Sequence, residues 1–298
     1  MRLRGAARRW CARVPGPPAP PIEFRGVASL FMPGAEPFSA DGGRAGVLLL
    51  HGFTGNPSAT RPLAARLAAA GLTVSAPALP GHGTAVEDML PLRWGDWLTA
   101  ADEAFGVLVG RCDRVAVVGH SMGATLACAL AETSADVAGI AVINPLVEPP
   151  ADDMRSGIRQ LLAQGIEVLP GEGPDVADPS VSPPAYPGTP LAALLSLFEG
   201  VEEVAVQLAA IRCPVLVLSS RVDHVVPTSN GDLLMASVSG PAERVWLERS
   251  YHAAMLDYDR PEVEARIAAF VQVVTADAGS GPGEGSVAMG AGRPGGAR

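Results

Sequence analysis

Residues 114–130 read RVAVVGHSMGATLACAL, and this stretch decides the fold. A short run rich in valine stops at Gly119, and residues that favour helix, mostly Ala and Leu, begin after Gly123. The predicted order is therefore strand, sharp turn, helix. Gly119-His120-Ser121-Met122-Gly123 at the turn fits G-x-S-x-G, a pattern in which a serine is held on a strained backbone at the end of a strand. The glycines two residues to either side have no Cβ, so the strand and helix can approach closely around it.

Working outward, short apolar runs at 47–51, 72–76 and 137–144 alternate with amphipathic stretches at 57–70 and 93–109. Such alternation marks parallel strands joined by crossover helices, and it predicts an α/β fold with a mostly parallel central sheet flanked by helices. The pattern breaks from Pro145 to about Ala209, where prolines and acids crowd 148–153 and 170–190, so a small inserted cap is expected there. It resumes with strands at 214–220 and 244–247 and helices at 231–237 and 261–274. The expected domain runs over 34–275. Residues 1–33, Arg-rich at first and then Pro-rich, and the Gly-rich 276–298 are expected to be disordered extensions.

A serine hydroxyl is a poor nucleophile at neutral pH and needs an imidazole to take its proton, and a carboxylate must hold that imidazole in the right tautomer. In this fold the order is Ser, then Asp or Glu, then His, each on a loop after a strand. Asp223 follows the strand at 214–220 and His252 follows the strand at 244–247. Among the five histidines only His252 has this order and placement. His51 and His82 lie beside glycines in early loops, His120 is the variable residue of the turn and is expected to point away from Ser121, and His224 adjoins the acid. Two N–H groups must meet the oxyanion of the tetrahedral intermediate. Met122, directly after the nucleophile, supplies one, and Phe53 in His51-Gly52-Phe53-Thr54-Gly55 supplies the other. Turnover should rise with pH as the imidazole loses its proton.

Composition narrows the alternatives. All 22 basic residues are arginine, which removes Schiff-base, Ser-Lys and P-loop lysine chemistry. A net charge of −9 without a basic patch argues against nucleic acid. No Cys or His spacing suits a metal, Gly81-His82-Gly83 does not complete a dinucleotide fingerprint, and no apolar run could span a bilayer. No metal, dinucleotide or integral membrane segment is therefore expected, and the oligomeric state stays open.

With these residues placed, the chain resembles the bacterial monoacylglycerol lipases and their carboxylesterase relatives. The likeness rests on Gly34 to Phe38, His51 to Gly55, Gly81 to Thr84, Glu87 to Met89, Gly119 to Gly123, Asp223 to Pro227, and Ser250 to His252 with Leu256 to Asp259. It implies a cytoplasmic α/β-hydrolase with no cofactor, a cap roofing an apolar acyl tunnel, Ser121, Asp223 and His252 as triad, and Phe53 and Met122 as oxyanion donors. The chain departs from those lipases where Pro183-Pro184 precede Ala185-Tyr186 in place of the acidic cap residue that helps hold glycerol, and where Ala124 replaces a further glycine. The expected reaction is hydrolysis of short- to medium-chain acyl esters, monoacylglycerols among them, with Leu194 and Phe198 of the Leu-rich cap contacting the acyl chain. Two alternatives stay open: a thioesterase or acyltransferase using the same acyl-enzyme, and a receptor that keeps the pocket without turnover.

Overall fold

The computed structural model describes residues 30–171 and 173–276. The expected extensions at 1–33 and 276–298 thus fall almost wholly outside the described residues.

Among the described residues there are nine strands: β1 (Phe38–Ala40), β2 (Ala45–Leu50), β3 (Thr73–Ala76), β4 (Arg114–His120), β5 (Val137–Ile143), β6 (Val168–Pro170), β7 (Gly188–Pro190), β8 (Val215–Ser220) and β9 (Ala242–Leu247). Seven α-helices accompany them there: α1 (Arg61–Ala69), α2 (Trp94–Val109), α3 (Met122–Thr133), α4 (Asp152–Ala163), α5 (Leu191–Ala205), α6 (Ser229–Ser237) and α7 (Arg260–Thr275). Seven strands form one sheet in the order β1-β3-β2-β4-β5-β8-β9. Only β1 runs antiparallel to its neighbour.

Strand side chains alternate between two cores, as the period of two requires. Leu48, Leu50, Val115, Val117, Ile140 and Val142 face α2 and α3, where Trp97, Phe105 and Leu126 are buried. Val47, Leu49, Ala116, Val118, Ala141 and Ile143 face α1 and α7, where Leu63, Leu67, Ile267 and Val271 are buried. Both faces are covered, which is why these strands read as near-continuous apolar runs. Trp94 and Trp97 serve this packing, and Trp97 also donates its indole N–H to the Pro80 carbonyl at 3.1 Å.

The segment between β5 and β8 adds nothing to the main sheet; β6 and β7 pair only with each other. Its last helix is nonetheless fused to the domain. Leu197, Val201 and Val204 of α5 join the α2/α3 core, and a Cβ on Gly200 would lie 2.1 Å from the Trp94 ring. Among the described residues, no helix is long and apolar enough to cross a membrane.

Candidate active site

The chain leaves β2 toward β3 on one side and reaches β4 on the other, so the loops after β2 and β4 diverge at neighbouring C-terminal strand ends. In open α/β sheets that crevice is where ligands bind. Phe53 leaves the first strand and Ser121 the second, and β4 is the central strand of the sheet.

Three residues other than glycine have positive φ among the described residues, and each follows one of the strands β2, β4 and β5: Thr54 (φ 59°), Ser121 (φ 53°) and Asn144 (φ 44°). Such backbone costs about 1–3 kcal/mol per residue and persists only where the surroundings enforce it. At Ser121 they do. A Cβ on Gly119 would lie 2.1 Å from the Gly123 carbonyl oxygen, and one on Gly123 would lie 2.1 Å from that of Leu50. The two glycines of the pentapeptide therefore allow β4, α3 and β2 to touch. A Cβ on Gly52 would sit 3.3 Å from Ser121 Cβ, so the β2 loop lies directly against the serine.

Asp223 follows β8 and His252 follows β9, and their side chains meet with Nδ1 2.8 Å from Oδ2. Burial pushes the Asp223 carboxyl up, but the His252 hydrogen bond and charge, with the N–H groups of Val226 and Val225, outweigh it and hold the group below its ordinary value. An ionised carboxylate only accepts, so the proton of this bond lies on Nδ1 and the Nε2 lone pair is left free. Nε2 can then take a proton. Ser121 Oγ forms no cap to its helix and no hydrogen bond to His252; a contact between a serine and its base commonly tightens only once substrate is bound.

His120, the residue before Ser121, does more than the sequence suggested. The His120 ring packs 4.8 Å from that of His252, and its Nε2–H donates to the His252 carbonyl at 2.9 Å. Asn144 donates to the same carbonyl at 2.7 Å, and Ser220 Oγ, which accepts from Asn144, donates to the Tyr251 carbonyl at 2.8 Å. His120, Asn144 and Ser220 thus fix the loop that carries His252. On the other side His51 donates to the Gly52 carbonyl at 2.9 Å and accepts from the Leu79 N–H at 3.1 Å, which pins the loop bearing Phe53. The N–H groups of Phe53 and Met122 make no hydrogen bond among the described residues. That of Met122 opens α3 and so has no intrahelical acceptor.

His224, next to Asp223, turns instead to Asp175. Leu194 packs against both the main core and a smaller cluster of Ile158, Leu191 and Phe198, and Phe198 is buried in that cluster. Pro184 turns its carbonyl to the Asn56 side chain at 2.7 Å, and Tyr186 donates to the Gly81 carbonyl at 2.6 Å, so this stretch ties the inserted segment to the early loops.

Burial lowers His51 to about 4 and, with the nearby His252, His120 to about 3. The unfolded chain would bind these protons near 6.5, so the contribution of the neutral histidines is complete above that value and is lost as pH falls toward 4. Glu132 acts oppositely, because burial raises it to about 8 and its ionisation costs stability as pH rises from its ordinary value. Burial lowers His82 well below its ordinary value too, so in a Glu132→Gln background the three buried histidines should together cost at least about 4 kcal/mol of stability between about pH 6.5 and 4.5. Urea midpoints across that range check this, and an unchanged midpoint contradicts it.

A family model described as "Alpha/beta hydrolase family" matches residues 47–267. The chain belongs to that family. It is 44% identical over 237 residues to the thermostable monoacylglycerol lipase of Bacillus sp. (strain H-257), covering 78% of this chain and 92% of that one. It is 26% identical over 239 residues to a carboxylesterase of Bacillus subtilis (strain 168), covering 80% and 96%. Among solved structures, one from work on the metagenome-derived lipolytic enzymes LipS and LipT superposes with a TM-score of 0.78 at 37% identity, over 82% of this chain and 99% of that one. The α/β fold and the likeness to lipases and carboxylesterases that the sequence suggested are borne out.

Two open cavities of about 730 and 320 Å³ share Glu132 and Thr133. The larger is lined by Arg114, Val137 and Pro214, at the N-terminal strand ends, so it opens on the edge opposite the candidate site.

Proposed function

We propose that this chain is a serine esterase that hydrolyses carboxylic esters of short- to medium-chain acyl groups, monoacylglycerols among them, through an acyl-enzyme on Ser121. The observation that carries the reading is the buried Asp223–His252 pair, with Nδ1 and Oδ2 2.8 Å apart, in the base loop held by the residue preceding a strained serine. Likeness to a monoacylglycerol lipase and a carboxylesterase supports the reaction class.

In this mechanism Ser121 Oγ attacks the acyl carbon as its proton passes to His252 Nε2. The N–H groups of Phe53 and Met122 receive the oxyanion. Collapse expels the alcohol, which takes the proton from His252, and leaves the acyl group on Ser121. A water then gives its proton to His252 and attacks the ester; the acid departs and Ser121 regains its proton. Asp223 keeps the imidazole in the required tautomer and stabilises the imidazolium.

The proposed hydrolase domain is 34–275 with a cap at about 145–209, and Leu194 and Phe198 are the proposed acyl contacts. The free thiols Cys112, Cys128 and Cys213 fit a proposed cytoplasmic location. A panel of p-nitrophenyl esters from acetate to palmitate, with monoacylglycerols and acyl thioesters alongside, tests the reading. Turnover should peak at short to medium chains, and Leu194→Trp should move the peak to shorter ones. No turnover at any length rejects the esterase, and faster turnover of thioesters reassigns it. The same peak in Leu194→Trp removes Leu194 from the acyl path.

A further inference from the structure

Asp175 lies between β6 and β7, in the inserted segment, and its side chain is 18% exposed. Its Oδ2 accepts the backbone N–H of His252 at 3.1 Å and that of His224 at 3.2 Å, while its Oδ1 lies 2.9 Å from His224 Nδ1. One carboxylate therefore brackets the two loops that carry the acid and the base. Its own carbonyl accepts the N–H of Ala253 at 3.0 Å. Two residues on, the insertion is fastened again by Asp257, whose buried carboxylate accepts the N–H groups of Ala177, Asp178, Tyr251 and Tyr258 at 2.7–3.0 Å.

His252 is consequently held at three points. Its ring Nδ1 meets Asp223, its carbonyl accepts from His120 and Asn144, and its N–H donates to Asp175. The first two belong to the sheet end, whereas the third comes from the insertion. Hydrogen bonds to a carboxylate are about twice as strong as neutral ones, so this third bond is no minor part of the restraint.

We infer that Asp175 is a positioning residue for the base: it locks the loops of Asp223 and His252 together and makes the placement of the imidazole depend on the seating of the inserted segment. The inference rests on the esterase reading. A carboxylate touching only backbone N–H groups and one exposed imidazole acts on the reacting atoms through His252, so its removal should affect kcat rather than substrate capture. Misplacement by about 1 Å can cost a hundred-fold in rate.

The test compares wild type with Asp175→Ala, Asp175→Asn and Asp175→Glu, all as the full chain. The kcat is expressed per serine titrated with a fluorophosphonate, and Asp153→Asn, on the exposed face of α4, serves as control. Wild-type turnover is measured first, because its absence defeats the esterase reading itself. Asp175→Ala should lower kcat roughly ten-fold or more with KM within about two-fold. Asp175→Asn should stay within about three-fold of wild type, since its amide oxygen still accepts both N–H groups. Asp175→Glu, which moves the same charge by one methylene, should lose kcat and carries the test if the alanine variant does not fold. The inference is overturned if kcat per titrated serine is unchanged in Asp175→Ala or Asp175→Glu, if only KM rises, or if Asp175→Asn is as impaired as Asp175→Ala.

Discussion

Ser121→Ala is expected to lower ester turnover by about four orders of magnitude or more while leaving the fold intact, because members of a nucleophile–base–acid set act as a unit. The intact fold is part of the prediction. The Ser121 hydroxyl forms no cap to α3, so its loss removes no structural bond there. The strained backbone at φ 53° is set by the contacts around Gly119 and Gly123, and alanine carries the same Cβ as serine. Residual rate would come from Phe53 and Met122 receiving the oxyanion of a water-driven reaction. Turnover of p-nitrophenyl butyrate with the thermal midpoint of the same sample decides it. A variant retaining a tenth of the wild-type rate would remove Ser121 from the reaction.

Asp223→Asn should cost nearly as much, about four orders of magnitude in kcat, and here the surroundings dictate why. Oδ1 of Asp223 accepts the N–H groups of Val225 and Val226, both at 2.8 Å. Those donors would hold the amide oxygen of an asparagine in the same place, turning its NH₂ toward His252 Nδ1. The imidazole must then accept at Nδ1 and carry its proton on Nε2, the wrong tautomer to deprotonate a serine. The pH–rate profile and kcat of the variant test this. Near-wild-type kcat at neutral pH would show that the tautomer is not set by Asp223.

Much of this was legible in the sequence because the decisive features are local. The pentapeptide 119–123 lies between a β-branched run and a helix-forming run, and Asp223 and His252 each follow a recognisable strand. The strand β1 has three residues, too few to show a period, and its antiparallel pairing with β3 has no local signature. The inserted segment was visible as a break in pattern, but the membership of α5 in the main core depends on Trp94 packing beneath Gly200, about a hundred residues away. The supporting residues were hidden for a related reason. His120, Asn144, Ser220 and Asp175 act by hydrogen bonds to backbone groups 31–132 residues distant, and such bonds demand no particular residue at the other end. The positive φ of Asn144 fits a short polar residue before Pro145, but nothing in sequence ties it to residue 252.

Covalent labelling with a fluorophosphonate, followed by peptide mass mapping, addresses the nucleophile itself. One adduct per chain on the peptide holding Ser121, abolished by Ser121→Ala and slowed strongly by Asp223→Asn, is the predicted result. No adduct on the folded wild-type protein, or an adduct on another residue that persists in Ser121→Ala, would contradict the assignment of this serine as an activated nucleophile.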